Sequence, residues 1–259
     1  MTLQRIETKT GHYYKLDGRR VTGVTTLING GLPKPKLVDW AAREVAEYVA
    51  DNWADVESHR EAGREQLVDH LKTRHQKARD TAAARGTSIH AYAEQLVAGE
   101  EVEAPEELVG HIEACARFLD DWQIQPVIVE RPVASRTWWY SGTPDLIGDL
   151  PDGRRLIVDW KTGRSGIWGE TALQLAAYAN AEFYLDADDV EQPVPSVDAG
   201  LAVWLRADGY DTYLVEDLDG AFQVFKHVAH VARAARSLKD TFISPALDTP
   251  LWTKETPAA

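Results

Sequence analysis

Residues 156–163, Leu-Ile-Val-Asp-Trp-Lys-Thr-Gly, begin as an apolar run suited to a buried strand and then carry a carboxylate and an ammonium two positions apart. Alternate residues of a strand point to one side, so Asp159 and Lys161 share a face. A buried charge without a partner is costly, so both charges need compensation there. A second acid, Asp145, follows Pro144, and the turn-forming stretch Pro151-Asp152-Gly153 lies between the two acids. Asp145 and Asp159 are equally far from Asp152, so an antiparallel pairing sets their carboxylates almost opposite each other. Facing carboxylates raise each other's pKa unless a cation lies between them. Hard oxygen ligands at a strand end suit Mg2+ or Mn2+, with water in the remaining positions. A lysine beside such an ion can hydrogen-bond an attacking water or a phosphate and stabilise the charge building there.

Three consecutive strands are expected to position this group, over residues 126–135, 138–150 and 154–163. Upstream, a hairpin turns at Asp17-Gly18, and a Thr-rich stretch leads to a loop over residues 29–36. Helical spacing of apolar residues predicts a helix from Leu37 to about Asp51 and a second helical stretch from about Glu61 to Val97, broken near Arg85-Gly86-Thr87. Thr87 or Ser88 then caps the segment that carries His90. A third helix opens at Pro105 and buries Leu108, Ile112, Cys115, Phe118, Leu119 and Trp122. Downstream come a helix over 170–185, strands over 199–207 and 211–217, and a last helix from Leu218 to Phe242. This order predicts an α/β protein with a central mixed sheet, with N-terminal helices packed on it or arching over it.

The chain of 259 residues is 44% apolar and 27% charged, ordinary for a soluble globular protein. Its single cysteine, Cys115, rules out an intrachain disulfide, a four-cysteine iron–sulfur cluster and a cysteine-rich zinc site, and makes a cytoplasmic location the expectation. A net charge of −13 argues against non-specific coating of nucleic acid but leaves room for a local basic groove or a cation-filled acidic pocket. No stretch reads as a secretory signal or a membrane span.

Pro144-Asp145 followed by Asp159-Trp160-Lys161 resembles the pattern for which the PD-(D/E)XK nuclease superfamily is named. Residues 85–94 (RGTSIHAYAE), 141–147 (SGTPDLI) and 174–178 (QLAAY) resemble, in the same order, the helix, first-acid and Gln-x-x-x-Tyr motifs of its RecB-like or λ-exonuclease-like branch. The resemblance covers about residues 80 to 240 and implies a restriction-endonuclease-like core. On that basis residues 1–80 form an N-terminal hairpin and helical elaboration, 81–243 the nuclease core and 244–259 a tail, together one compact unit. It implies Mg2+ or Mn2+ held by His90, Asp145, Asp159 and the Trp160 backbone carbonyl, with Lys161 positioning or activating the water. Gln174 and Tyr178, at i and i+4, brace the site and contact DNA; Arg164 is the favoured phosphate contact; Glu94 is a solvated acid or lies behind the ligands, and Glu130 lies behind them or near a second metal.

The implied activity is that of a metal-dependent DNA exonuclease. It hydrolyses phosphodiesters with metal-activated water, without an iron–sulfur cluster, in phage or bacterial recombination or replication. The alternative is a non-catalytic DNA-end-binding scaffold that keeps the fold. DNA is the expected partner, as double-stranded ends or single strands. A separate annealing or helicase protein and a homo-oligomer are compatible with the resemblance, and no membrane is involved. Lys72, Arg74, Lys77, Arg79 and Arg85 could line a phosphate-binding stripe, or equally a solvated helix face. Trp138, Trp139 and Trp168 flank the expected site.

Overall fold

The computed structural model describes residues 3–8 and 11–247. Among these, three strands come first: β1 (Leu3–Thr8), β2 (Gly11–Leu16) and β3 (Arg19–Gly23). Six helices follow: α1 (Val24–Gly31), α2 (Pro35–Asp51), α3 (Trp53–Ala62), α4 (Arg64–Lys72), α5 (Arg74–Val97) and α6 (Val109–Trp122). Next are β4 (Gln125–Val129), β5 (Val133–Ser135), β6 (Tyr140–Gly142), β7 (Leu146–Asp149), β8 (Arg155–Lys161) and α7 (Glu170–Ala179). The chain continues with β9 (Phe183–Leu185), β10 (Glu191–Pro193), β11 (Ala199–Arg206), β12 (Gly209–Val215), α8 (Leu218–Ala234) and α9 (Leu238–Phe242). None of the described helices is long and apolar enough to cross a membrane.

A five-stranded sheet in the order β12-β11-β8-β7-β4 is the frame of the molecule. Only β8 and β11 run parallel in it. Leu156, Val158 and Trp160 join the core formed with α5 and α6, whereas Ile157 joins the one formed with α1, α7 and α8. Asp159 and Lys161 continue the Ile157 side, so the polar end of β8 faces α7. This layering of helices on both faces of a mixed sheet is the restriction-endonuclease-like architecture the sequence motifs imply.

Beside this central mixed sheet stands a second. The second runs β1-β2-β3-β6-β5-β9-β10 and is mixed through the parallel β3–β6 pair. Two of the strands expected as continuous are divided between the sheets, β4 from β5 and β7 from β6. Pro132 and Pro144 stand at the two breaks and supply no N–H to a ladder, and Glu130 turns the chain with a left-handed φ of 47°. The Asp17-Gly18 turn has both residues at positive φ, as a two-residue hairpin requires. Tyr14 on the hairpin bonds through its hydroxyl to Thr143 Oγ1 at 2.8 Å, so the N-terminal strands reach the segment that carries Asp145.

Other expectations are corrected. Residues 24–31 form α1, which takes in Asn29-Gly30-Gly31 of the expected loop, and Gly31 lets it pack on α8, since a Cβ there would overlap the backbone of Val228. The helical stretch before His90 breaks at Gly63 and Thr73, and α5 runs unbroken through Arg85-Gly86-Thr87. The Thr87 and Ser88 hydroxyls bond back to the Ala83 and Ala84 carbonyls instead of capping. The expected boundary at residue 80 falls inside α5. The helix expected over 170–185 stops at Ala179, and Phe183 enters the core from β9. The last helix divides into α8 and α9. Of the expected tail, residues 244–247 form no regular element and 248–259 lie outside the described residues.

Candidate metal centre

The turn between β7 and β8 pairs Leu146 with Val158, so Asp145 and Asp159 stand one step further along, at the mouth of the hairpin. Asp145 Oδ2 accepts the Trp160 backbone N–H at 2.7 Å, and its Oδ1 lies 3.3 Å from His90 Nδ1 on α5. Glu130, on the bend after β4, donates its backbone N–H to the Asp145 carbonyl at 3.1 Å. His90, Glu130 and Asp145 each offer a ligand atom, all within 4.8 Å of one another. Glu130 has thus joined the group, whereas the family resemblance placed it behind the ligands or near a second metal.

Asp159 stands apart from these three. Its carboxylate, 2% exposed, lies 2.6 Å from Lys161 Nζ and accepts from Gln174 Nε2 at 2.7 Å. Lys161 Nζ also donates to Gln174 Oε1 at 3.0 Å, so one amide bridges both members of the ion pair. Tyr178, one turn on along α7, has its hydroxyl 3.4 Å from Gln174 Nε2. The ion pair is not a well-directed hydrogen bond, and Asp159 Oδ2 is buried with a charge partner alone. The Trp160 indole points away, into the α5–α6 core, where it meets the Phe118 ring edge-on at 5.3 Å.

Three acids and two cationic groups share this centre, and their protonation reflects it. Burial alone would lower His90, but the Asp145 carboxylate, with Asp159 and Glu130 behind it, holds the imidazole up at about 9. Burial and the Asp145 charge push Glu130 up to about 8. Asp145 is held below its ordinary range despite burial, chiefly by His90 and then by Lys161 and the Trp160 N–H. Burial outweighs Lys161 at Asp159, which is raised. Lys161 is raised too, because Asp159 outweighs its burial, so it remains an ammonium.

Two glycines let the elements close on the centre. A Cβ on Gly142 would overlap the Tyr178 ring, and one on Gly86 would lie 3.2 Å from Thr162 Oγ1, next to Lys161. Glu94 is exposed one turn beyond His90, outside the ligand group, though its charge adds to the upward pressure on Glu130. Arg164 is exposed on the loop after Lys161 and makes no ion pair among the described residues. Of the basic stripe, Lys72 pairs with Asp69 and Arg79 with Asp80, as a solvated face would. Trp138 packs edge-on against Phe222 of α8, and Trp139 donates to the Arg20 carbonyl, so both belong to the second sheet's surroundings. Trp168 lies on the loop between Lys161 and α7.

A second group of ligand atoms, Asp55, His59 and His70, joins α3 to α4. Its cation is already present: the Arg74 guanidinium reaches His70 and lies 3.9 Å from Asp55 Oδ2, stacked 3.7 Å from the Tyr48 ring centre. It reads as a clamp for the N-terminal helices.

Among known families, the model of the PD-(D/E)XK nuclease superfamily matches residues 40–246, which reaches well upstream of the motifs. No curated protein matches the chain. A solved structure described as "Crystal structure of SSO0001" is similar over 62% of this chain and 73% of that one, at 15% identity and a TM-score of 0.28. That likeness is too loose to carry an argument.

Proposed function

Since this chain belongs to the PD-(D/E)XK nuclease superfamily, we propose that it is a Mg2+- or Mn2+-dependent exonuclease that degrades DNA from its ends, in recombination or replication of a phage or bacterial genome. The observation that carries the reading is the meeting of His90, Glu130 and Asp145 beside the Asp159–Lys161 pair, where β7 starts and β8 ends in the middle of the sheet. The preference for an exonuclease working in the cytoplasm rests on the RecB-like motif order and on the lone Cys115, which leaves no cluster to fasten.

The donor set fits a divalent cation. One imidazole and two carboxylates within 4.8 Å match the ligand preferences of Mn2+ and Mg2+. Glu130, pushed up to about 8, holds a proton where a cation would otherwise balance its charge. Asp159 and the Trp160 carbonyl, next along β8, are the further ligands we assign. A bound ion supplies Lewis-acid polarisation of the scissile phosphate and balances the acids.

The remaining roles belong to the chain. Lys161, kept protonated by Asp159, donates to the attacked phosphate or the water and does not remove a proton. Gln174 holds that ammonium and the Asp159 carboxylate at fixed separation, and Tyr178 steadies Gln174. Arg164 meets the DNA backbone from the loop. The deciding assay incubates linear duplexes labelled at the 5′ or the 3′ end, and a closed circle, with Mn2+. Digestion of the linear forms alone is expected, whereas inertness toward every DNA in Mn2+ and Mg2+ would overturn the reading.

A further inference from the structure

A pocket of about 380 Å3 opens beside the centre, bounded by residues 165–169, the start of α7 and strands β11 and β12. Register fixes its position. Parallel pairing sets Ala202 beside Asp159 and Trp204 beside Lys161, and antiparallel pairing sets Tyr213 beside Ala202. Paired residues project to the same side, and neighbouring strands are about 4.8 Å apart. The floor of the pocket is therefore one strand spacing from the Asp159–Lys161 pair, on the same face of the sheet.

Its walls are aromatic and fixed. Trp168 and Tyr213 are 39% and 44% exposed, and Trp204 lies between the loop and β12. The Trp204 indole N–H donates to the Gly163 carbonyl at 2.8 Å and the Trp168 N–H to Ser165 Oγ at 3.0 Å. Both donors are occupied by the loop, and the Arg206 guanidinium covers one face of Trp204 at 4.5 Å from the ring centre, so Trp168, 39% exposed, is the indole that presents a face. Gly166, at φ +78°, lays the loop against Trp204, with a ring carbon 3.8 Å from where its Cβ would stand. Lys36 Nζ sits 4.9 Å from the Trp168 ring centre. Neither Lys36 nor Arg164 forms an ion pair among the described residues; Lys36 stands at this rim, and Arg164 directly precedes its lining residue Ser165, in a chain whose net charge is −13.

We infer that this pocket takes one unpaired nucleobase of the strand being cut, stacked on Trp168, so that the enzyme engages single-stranded or frayed DNA ends. The inference rests on the nuclease reading for the position of the phosphate. The occupant follows from three features together: aromatic faces, unpaired cations at the rim, and a phosphate-handling centre one strand away. A base in a duplex cannot enter, because its faces are stacked and its edge is paired. Stacking on an aromatic ring accepts any base, so the pocket selects for unpaired strands and not for sequence.

The test is binding of a fluorescently labelled hexathymidylate, read by anisotropy with Ca2+ in place of Mn2+. Trp168→Ala should weaken it by roughly 5- to 150-fold, Trp168→Phe should restore most of the affinity, and Ala172→Phe, which fills the pocket, should weaken it as well. Trp53→Ala, on exposed α3, is the control. A hexamer of abasic sugar phosphates should bind wild type and Trp168→Ala alike. Equal hexathymidylate affinity for Trp168→Ala and wild type overturns the proposal, as does a Trp168→Ala deficit that persists on the abasic strand. Stacking through Trp168 without cleavage in Mn2+ would uphold the pocket and sink the nuclease reading. Cleavage with no role for Trp168 would do the reverse.

Discussion

Gly142 and Tyr178 occupy one space: a Cβ on the glycine, at the end of β6, would overlap the tyrosine ring on α7. Through Gln174, Tyr178 is linked to both Asp159 and Lys161. The glycine ahead of Asp145 and the tyrosine of the Gln-x-x-x-Tyr motif are thus a single packing constraint on the position of Lys161.

Gly142→Ala should therefore damage activity from a position that touches no reacting atom. Overpacking of this kind costs about 1–3 kcal/mol, which at this chain length lowers the melting temperature by roughly 2–12 °C. Removing the tyrosine ring as well should relieve part of the strain, so the Gly142→Ala/Tyr178→Ala pair should lose less stability than the two single variants summed. Strict additivity in thermal melts would show that the ring and the glycine do not compete.

Glu130 should behave as a ligand and not as a bystander. Mn2+ in excess is expected to stabilise the wild type, by about 2.7 kcal/mol at 100 times its dissociation constant. Glu130→Gln should weaken Mn2+ binding by about tenfold or more, and Asp145→Asn should weaken it at least as much. If calorimetric titration finds full Mn2+ affinity in Glu130→Gln, the ion must be held by other groups.

Lys161→Ala should reduce cleavage by about 10²–10³-fold, as loss of a donor aimed at developing charge does, while sparing DNA binding. Gln174→Ala should act in the same direction but less, because Lys161 keeps Asp159 as a partner. A Gln174→Ala enzyme with unchanged turnover would remove the amide bridge from the mechanism.

Metal-free stability should fall as pH rises from 6 to 9. His90 is held up at about 9 against an ordinary 6.5, so its stabilising share is complete below 6.5 and disappears as pH climbs through 9. Glu130, raised from 4.5 to about 8, acts in the same sense: above 4.5 the unfolded chain has lost a proton the folded chain keeps. Both protons must leave for the ligands to bind a cation, so Mn2+ affinity should increase over the same range and binding should release protons. Melting temperatures in EDTA that rise from pH 6 to 9 would contradict this.

The alternation of β8, the symmetric spacing of Asp145 and Asp159 about Asp152, and the order of His90, the two acids, Lys161 and Gln174 were legible because they depend on local geometry and order along the chain. The bend at Glu130 was not. Nothing in Val129-Glu130-Arg131-Pro132 says that the strand on one side joins one sheet and the strand on the other joins a second. Gly30 and Gly31 read as loop, and Gly86 as a helix break, when their role is close approach to α8 and to Thr162.

By itself the sequence determined which chemical groups are present, the faces of β8 and α7 they occupy, and the family pattern they make. Tertiary structure alone decided that Glu130 meets His90 and Asp145 while Asp159 stays outside that group, and that Trp168, Trp204 and Tyr213 enclose a pocket one strand away. Period and spacing act over a few residues, whereas these meetings join residues 15 to 55 positions apart, brought together only when two sheets share one bent hairpin.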